Sequence, residues 1–509
     1  MRIKNHMKLV FMFLLLVVIN PIYDSQSETA VNNNTSSLPS TITLCGVFPI
    51  AMRPDAGPDR RDGFLMAIDE INGQTGSTRI LPAGVTLVGD VKDDLNSASG
   101  GTSAANACVS DNADLVIGSS GSTVSVAMAN VLTPLNIIQI SYASSSPVLS
   151  NRTTYPYFMR NVASDADQGI ALADLVASFG WIHGATINTD DSYGTGLVSY
   201  FTANFQAASS SNSIDSAQTF APGATDVSAQ VQAIANSNPQ FVLLHAIDID
   251  AKTVFKKGFD LGIAGDNSDI VWIITDGSSS TATFAGDANV QKSMQYSIGT
   301  TPSAITQSYY ADFNSSWWSV TSCGTQTPCG ASRTNLNANS YTPFAYDAVY
   351  IAAKGIAAAD TVAHDATSAQ ILLDALYKVS FTGAGGVVKF NSRGEVDGRY
   401  DYVTLNGNTF STFGTWQGTR SFSWQQMILT NGRVYDLDSN NNYIFQGEIT
   451  TSTIPGSSSS SKISSNPSLS STSLPVRTST IPTTPFDSNY FIFAIFLLIT
   501  LNYKRRSKL

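Results

Sequence analysis

The sequence predicts an α/β protein of two domains, built on parallel sheets with helices on both faces. Three observations lead there. Short apolar runs of strand length alternate with amphipathic helical patterns, and that alternation yields covered parallel sheets. Several of the runs end in Ser/Gly or Asp/Gly turns, as in "LVIGSSGSTVSVAMANVL" from Leu115. Between two atypical ends lie about 400 residues, enough for two domains.

The strand-like runs are Ile42–Phe48, Val85–Val91, Leu115–Ile117, Ile137–Tyr142, Gly184–Ile187, Phe241–His245, Ile270–Ile274 and Ser297–Thr300. Between them, Phe64, Ala67, Ile68 and Ile71 share one helical face. Leu172, Leu175, Val176 and Phe179 share another, stopped by Gly180. Val227, Val231, Ile234 and Ala235 form a third. Each set has the 3.6-residue spacing of a helix with one buried face.

The ends have other tasks. Arg2, Lys4 and Lys8 precede an apolar run from Leu9 to Ile19, then small polar residues. That is the layout of a secretory signal peptide over residues 1–25, with an uncleaved signal anchor as the alternative. Residues 450–487 are mostly Ser, Thr and Pro and read as an extended stalk that buries no core. An apolar stretch over 489–503 and a basic tail over 504–509 follow. They fit a short transmembrane segment with a cytosolic stop-transfer end, or a GPI signal. Both place the chain at the plasma membrane, on the extracellular side.

Charge supports this division. Nine of the 28 Lys and Arg, but one of the 38 Asp and Glu, lie in the ends, so the middle keeps 19 basic and 37 acidic residues, a net charge of −18. Such a surface disfavours nucleic acid and anionic membranes. Four cysteines, Cys45, Cys108, Cys323 and Cys329, make two disulfides in a secreted protein, with three pairings open. Glycosylation sequons stand at Asn33, Asn34, Asn151 and Asn314. The acidic doublets Asp93–Asp94 and Asp190–Asp191 read as solvated loops more readily than as a calcium site, and Trp317 and Trp318 as packing. No cofactor is expected. Only His183, His245 and His364 follow the signal segment, and no GxSxG, HExxH or P-loop occurs, so an enzyme is disfavoured.

In open α/β sheets ligands sit beyond the carboxyl ends of the strands. Ser119, Ser120, Ser122 and Thr123 follow the Leu115–Ile117 run, where hydroxyls and a helix N-terminus favour a carboxylate. Ser144 and Ser145 follow the next run. Serine is also a good helix cap, the structural alternative at each position.

Four blocks carry a family resemblance: "GFLMAIDEIN" at Gly63–Asn72, the stretch from Leu115 to Phe201, "YTPFAYDAVYIAAKGIAAA" at Tyr341–Ala359, and "FTGAGGVVKFNSRGEVDGRYDYVTL" at Phe381–Leu405. In this order, over Thr41 to Gly447, they resemble the extracellular ligand-binding region of class C G-protein-coupled receptors. GABA type B and metabotropic glutamate receptors are the nearest kinds, with periplasmic amino-acid-binding proteins more distant. The family's seven-helix domain has no counterpart in these residues.

The resemblance implies a bilobed clamshell of two three-layer lobes, with three crossings near Asn161, Ser297 and Val396. Lobe 1 would hold 41–161 and 298–396, and lobe 2 162–297 and 397–447. It favours the pairings Cys45–Cys108 and Cys323–Cys329. Ser122, Thr123, Ser144 and Ser145 would hold an amino acid's carboxylate and amine, with Ser122 and Ser145 the principal pair. Tyr193 would cover the ligand backbone and Asp276 would take its ammonium. Tyr341 stands where the family uses Lys or Glu to read the far end of the ligand. Tyr carries neither charge, which points away from glutamate or GABA toward a neutral or aromatic amino acid or another small polar molecule. A dimer through lobe 1 and a membrane signalling partner are further implications. A binding or adhesion module, or a decoy, that keeps the fold without an amino-acid ligand is the alternative.

Overall fold

The computed structural model describes residues 38–303, 341–363 and 365–449, with Ala311, Phe313, Asn314 and Trp317 between them. The signal segment, stalk, apolar tail, Asn33, Asn34, Trp318, Cys323, Cys329 and His364 lie outside the described residues. No helix among the described residues is long and apolar enough to cross a membrane.

The first sheet has five strands in the order β2-β1-β3-β4-β5. They are β1 (Thr41–Phe48), β2 (Thr86–Asp93), β3 (Leu115–Ile117), β4 (Gln139–Ser141) and β5 (Phe158–Arg160), all parallel. Alternation along β1 sorts its side chains into two cores. Ile42, Leu44 and Phe48 enter a large cluster on one face. There they meet α1 (Gly57–Gly73) and two helices from much later in the chain, α9 (Thr342–Ala359) and α10 (Ala366–Leu376). Cys45 and Val47 point the other way, onto α2 (Ala98–Ser110) and α3 (Ser122–Leu132). Cys45 is disulfide-bonded to Cys108 on α2.

The second sheet has eight strands in the order β15-β14-β13-β10-β9-β8-β6-β7. Its parallel half holds β6 (His183–Thr189), β7 (Ser213–Phe220), β8 (Phe241–His245), β9 (Val271–Ile274) and β10 (Ile298–Pro302). Phe241 and Leu243 face α4 (Asp165–Ser178) and α5 (Ser192–Ala208). Val242 and Leu244 face α6 (Ser228–Ser237), α7 (Asp248–Asp260) and α8 (Ala288–Ser293). Gly180, at φ +68, turns the chain out of α4 in the left-handed conformation that glycine tolerates.

Two expectations are corrected. The second sheet is mixed: β13 (Tyr400–Asn406), β14 (Thr409–Trp416) and β15 (Arg420–Phe422) add to β10 antiparallel. Their aromatic residues Tyr402, Phe413 and Phe422 extend the core. A three-stranded sheet, β16 (Gln426–Ile428), β17 (Arg433–Leu437) and β18 (Tyr443–Glu448), packs on the same core through Met427, Tyr435 and Tyr443. The second crossing also does not fall at Ser297, because Ile298–Pro302 is still paired in the second sheet. Trp317 packs on Phe313 in a small cluster with Met66 and Ala384. Asn151 is exposed, and its carboxamide oxygen accepts from the N–H of Thr153 and Thr154; Asn314 is half-buried.

Candidate functional site

The cleft between the lobes forms at the carboxyl ends of β3, β4, β8 and β9. On the first wall, Gly121 begins α3 and no side chain caps it. The first-turn N–H groups therefore present the positive end of the helix dipole. Ser122 lines the cleft while its hydroxyl accepts from Ser146 N–H at 3.1 Å. Thr123 also lines it.

Ser144 does not reach the cleft. Its hydroxyl is turned inward, onto the Ser119 carbonyl at 3.1 Å and Ser125 Oγ at 2.8 Å. This corrects its assignment as a ligand contact: it braces the loop that follows β4. Ser145 lies deeper than expected, lining a smaller cavity behind the cleft together with Asp276 and Tyr341. Arg160 fixes this loop by donating from Nη1 to the carbonyls of Ser144 (3.0 Å) and Ser146 (2.8 Å). Its own charge is met by Glu395, 3.0 Å from Nε, and both side chains are 1% exposed. Burial pushes the Glu395 carboxyl up, but Arg160 and Arg393 outweigh it and hold it below the usual range.

On the second wall, Asp276 and Gly277 follow β9. Asp276 is buried and accepts from Tyr341 Oη at 2.6 Å and from Tyr193 Oη at 3.5 Å. A Cβ on Gly277 would stand 2.4 Å from the Tyr193 hydroxyl, so only glycine lets the tyrosine lie against this turn. Tyr193 is held from behind by His245, with ring centroids 4.1 Å apart. His245 Nε2 is 3.1 Å from the Tyr193 carbonyl, and Nδ1 is 2.9 Å from Thr275 Oγ1. A carbonyl only accepts, so the Nε2–H tautomer is required and Nδ1 takes the threonine proton. Burial lowers the His245 pKa to about 4, which keeps the ring neutral.

Asp165 was not anticipated. Fully buried, it lies 4.0 Å from His245 Nε2. Burial drives its carboxyl well above the usual range, and Asp276 adds to the effect. Burial thus favours the protonated form of the Asp165 carboxyl. Arg60 on α1 was also missed. Its guanidinium lies 5.5 Å over the Tyr341 ring, is 8% exposed, and its Nε has no hydrogen-bond partner. The cleft therefore carries a cation beside Tyr341.

Four hydrogen bonds or ion pairs tie the walls together. Thr123 Oγ1 donates to Asp191 at 2.8 Å, and Tyr341 to Asp276. Ser146 Oγ donates to the Ser192 carbonyl at 2.6 Å, and Arg53 pairs with Asp248 at 2.8 Å. The walls differ in charge: Arg53 and Arg60 stand on the first, with Asp55 and Asp59, against Asp191, Asp248, Asp250 and Asp276 on the second. The acidic doublets serve the backbone. Asp93 accepts from Ile50, Ala51 and Leu95 N–H, Asp94 from Asn96 N–H, and Asp191 from Gly194 N–H at the start of α5. No cluster of three metal-ligating side chains occurs among the described residues.

Fold and cleft define a bilobed ligand-binding protein. The family model of the receptor family ligand binding region matches residues 59–408, and the chain belongs to that family. Glutamate receptor 3.1 of Oryza sativa subsp. japonica is 26% identical over 344 residues, covering 60% of this chain and 35% of that protein. Metabotropic glutamate receptor 6 of Rattus norvegicus is 28% identical over 212 residues, covering 35% of this chain and 24% of the relative. The match to metabotropic glutamate receptor 8 of Homo sapiens is 29% over 191 residues, covering 32% and 21%. The chain thus spans about a third or less of these relatives' lengths. A leucine-binding protein of Thermotoga maritima has the same fold, with a TM-score of 0.61 at 16% identity, over 74% of this chain and 99% of that one.

Proposed function

We propose that this chain is the ligand-sensing part of a cell-surface receptor, that it binds an amino acid or close analogue, and that binding holds the two lobes closed. The observation that carries the reading is the opposed polarity of the cleft. Ser122, Thr123 and the α3 N-terminus on one wall suit a carboxylate. Asp276 on the other suits an ammonium, with Tyr193 alongside. Arg60 then faces the ligand side chain and favours a carboxylate or carbonyl there. Closure is a population shift driven by contacts made only when both walls are engaged. The signal would pass to a membrane partner at the extracellular face, with a dimer through lobe 1 as its frame.

A second reading is a binding module or decoy with no amino-acid ligand. It is favoured by one observation: the Tyr341 hydroxyl already occupies one oxygen of Asp276.

The test is thermal unfolding of the protein against the natural amino acids and GABA. A ligand at a hundredfold excess over its dissociation constant stabilises by about 2.7 kcal/mol. A shift that disappears in Ser122→Ala and in Asp276→Asn establishes the amino-acid site. No shift with any amino acid favours the second reading.

A further inference from the structure

The cleft is too large for the ligand just proposed. With all four bridges between the walls in place, it still encloses about 620 Å³. Sites of roughly 300–1,000 Å³ enclose drug-sized molecules, and a free amino acid fills only part of this one. The groups that suit an amino acid, Ser122, Asp276 and Arg60, are 2%, 6% and 8% exposed. Beyond them the cleft runs on between exposed, mostly small residues. Asn96 and Ala98 stand on the first wall, and Ala282 and Ala285 on the second. The charges of this outer part are already engaged. Arg53 bonds both Asp55 and Asp248, and Asp250 accepts from Gly223 N–H. Walls of small residues, with Arg53, Asp248 and Asp250 already holding partners, select for a neutral, hydrogen-bonding extension of the ligand. Arg60, with a buried Nε that lacks a partner, stands where a carbonyl joining the two parts would fall.

We propose that the cleft takes an amino acid extended at its far end through an amide, a ligand of dipeptide size, with the added unit lying between Asn96 and Ala98 on one wall and Ala282 and Ala285 on the other. This rests on the amino-acid reading of the inner site. The amide carbonyl accepts from Arg60, and the second unit displaces water from the outer chamber.

The test is isothermal titration of the purified whole chain with a set of dipeptides joined through the side-chain carboxyl of aspartate or glutamate, and with their free constituent amino acids. It is repeated on Ala282→Trp and Ala285→Trp, which fill the outer chamber from exposed positions. The expected result is a dipeptide that binds at least tenfold tighter than either constituent. Each tryptophan variant then costs it tenfold or more and changes a free amino acid less than twofold. Free amino acids binding with no dipeptide gaining over them overturns the inference and leaves the amino-acid reading standing. Equal loss of both ligand classes in the tryptophan variants also overturns it. Binding of neither class in the unaltered protein defeats the amino-acid reading and this inference together.

Discussion

Arg53 and Asp248 face each other across the cleft, one on each wall, with Nη2 2.8 Å from the carboxylate and both side chains largely buried, at 11% and 9% exposed. Burial pushes the Asp248 carboxyl above the usual range, with Arg53 pulling against it. The pair contributes only when the lobes are together. Arg53→Met or Asp248→Asn is expected to increase the radius of gyration in solution scattering without ligand and to weaken ligand binding about tenfold, roughly 1.4 kcal/mol. The double variant should be little worse than Arg53→Met alone, because the pair with Asp248 is already lost there. Additive losses would show that the pair does not couple the lobes.

His245 and Asp165 predict opposite pH trends from neighbouring groups. His245 takes its proton at about 4 in the folded state, against 6.5 ordinarily. The unfolded chain therefore binds more protons in that interval, and stability is full above pH 6.5 and falls as pH drops toward 4. Asp165 is shifted the other way by burial and by Asp276. The folded protein holds its proton longer than the unfolded chain, so stability declines as pH rises above the usual carboxylate range. Thermal unfolding from pH 4 to 8 should show a loss on the alkaline side that Asp165→Asn removes. An unchanged profile in Asp165→Asn would refute the raised Asp165 titration.

The disulfide closes a loop of 63 residues between β1 and α2. Chain-entropy arguments assign a loop of that size about 4 kcal/mol. Cys45→Ala with Cys108→Ala should lower the stability in urea by 2–5 kcal/mol, while the affinity of the folded protein for its ligand stays within about twofold, since neither residue lines the cleft.

Glu395→Gln leaves Arg160 buried without its counter-charge. Losing one partner of a buried pair costs about 3–5 kcal/mol. Because Arg160 also holds the Ser144 and Ser146 carbonyls, amide exchange should rise specifically at Ser144–Ser146. Exchange that rises evenly over the first lobe would make the pair a general support with no particular hold on this loop.

Much of this architecture is legible in the sequence where one pattern dominates. Leu115–Ile117 and Phe241–His245 are unbroken apolar runs, buried on both faces, and their bounds were read correctly. Ser213–Phe220 was not recognised because it is an edge strand with only Ser216 and Phe220 buried. The antiparallel strands from Tyr400 onward were hidden for another reason: their pairing is set by contacts with β10, about a hundred residues earlier, and local periodicity does not record it. At the site, Ser122, Thr123, Tyr193, Asp276 and Tyr341 come together around one cleft. Ser144 turned inward because its hydroxyl found Ser119 and Ser125. Arg60 had a readable signal, a charge four residues before Phe64 on the buried face of α1. Asp165 had none, since an acid in the first turn of a helix is the ordinary partner of its dipole.

The chain passes between the two sheets three times: after β5, between β10 and α9, and between α10 and β13. If ligand closes the lobes as proposed, three connections would favour bending over twist or sliding, and occupancy would be expressed largely as one angle. Residue 449 leaves from the strands packed on the second sheet. A change in that angle would move residue 449 relative to the first lobe, turning an event of a few ångströms inside the cleft into a longer lever stroke outside it.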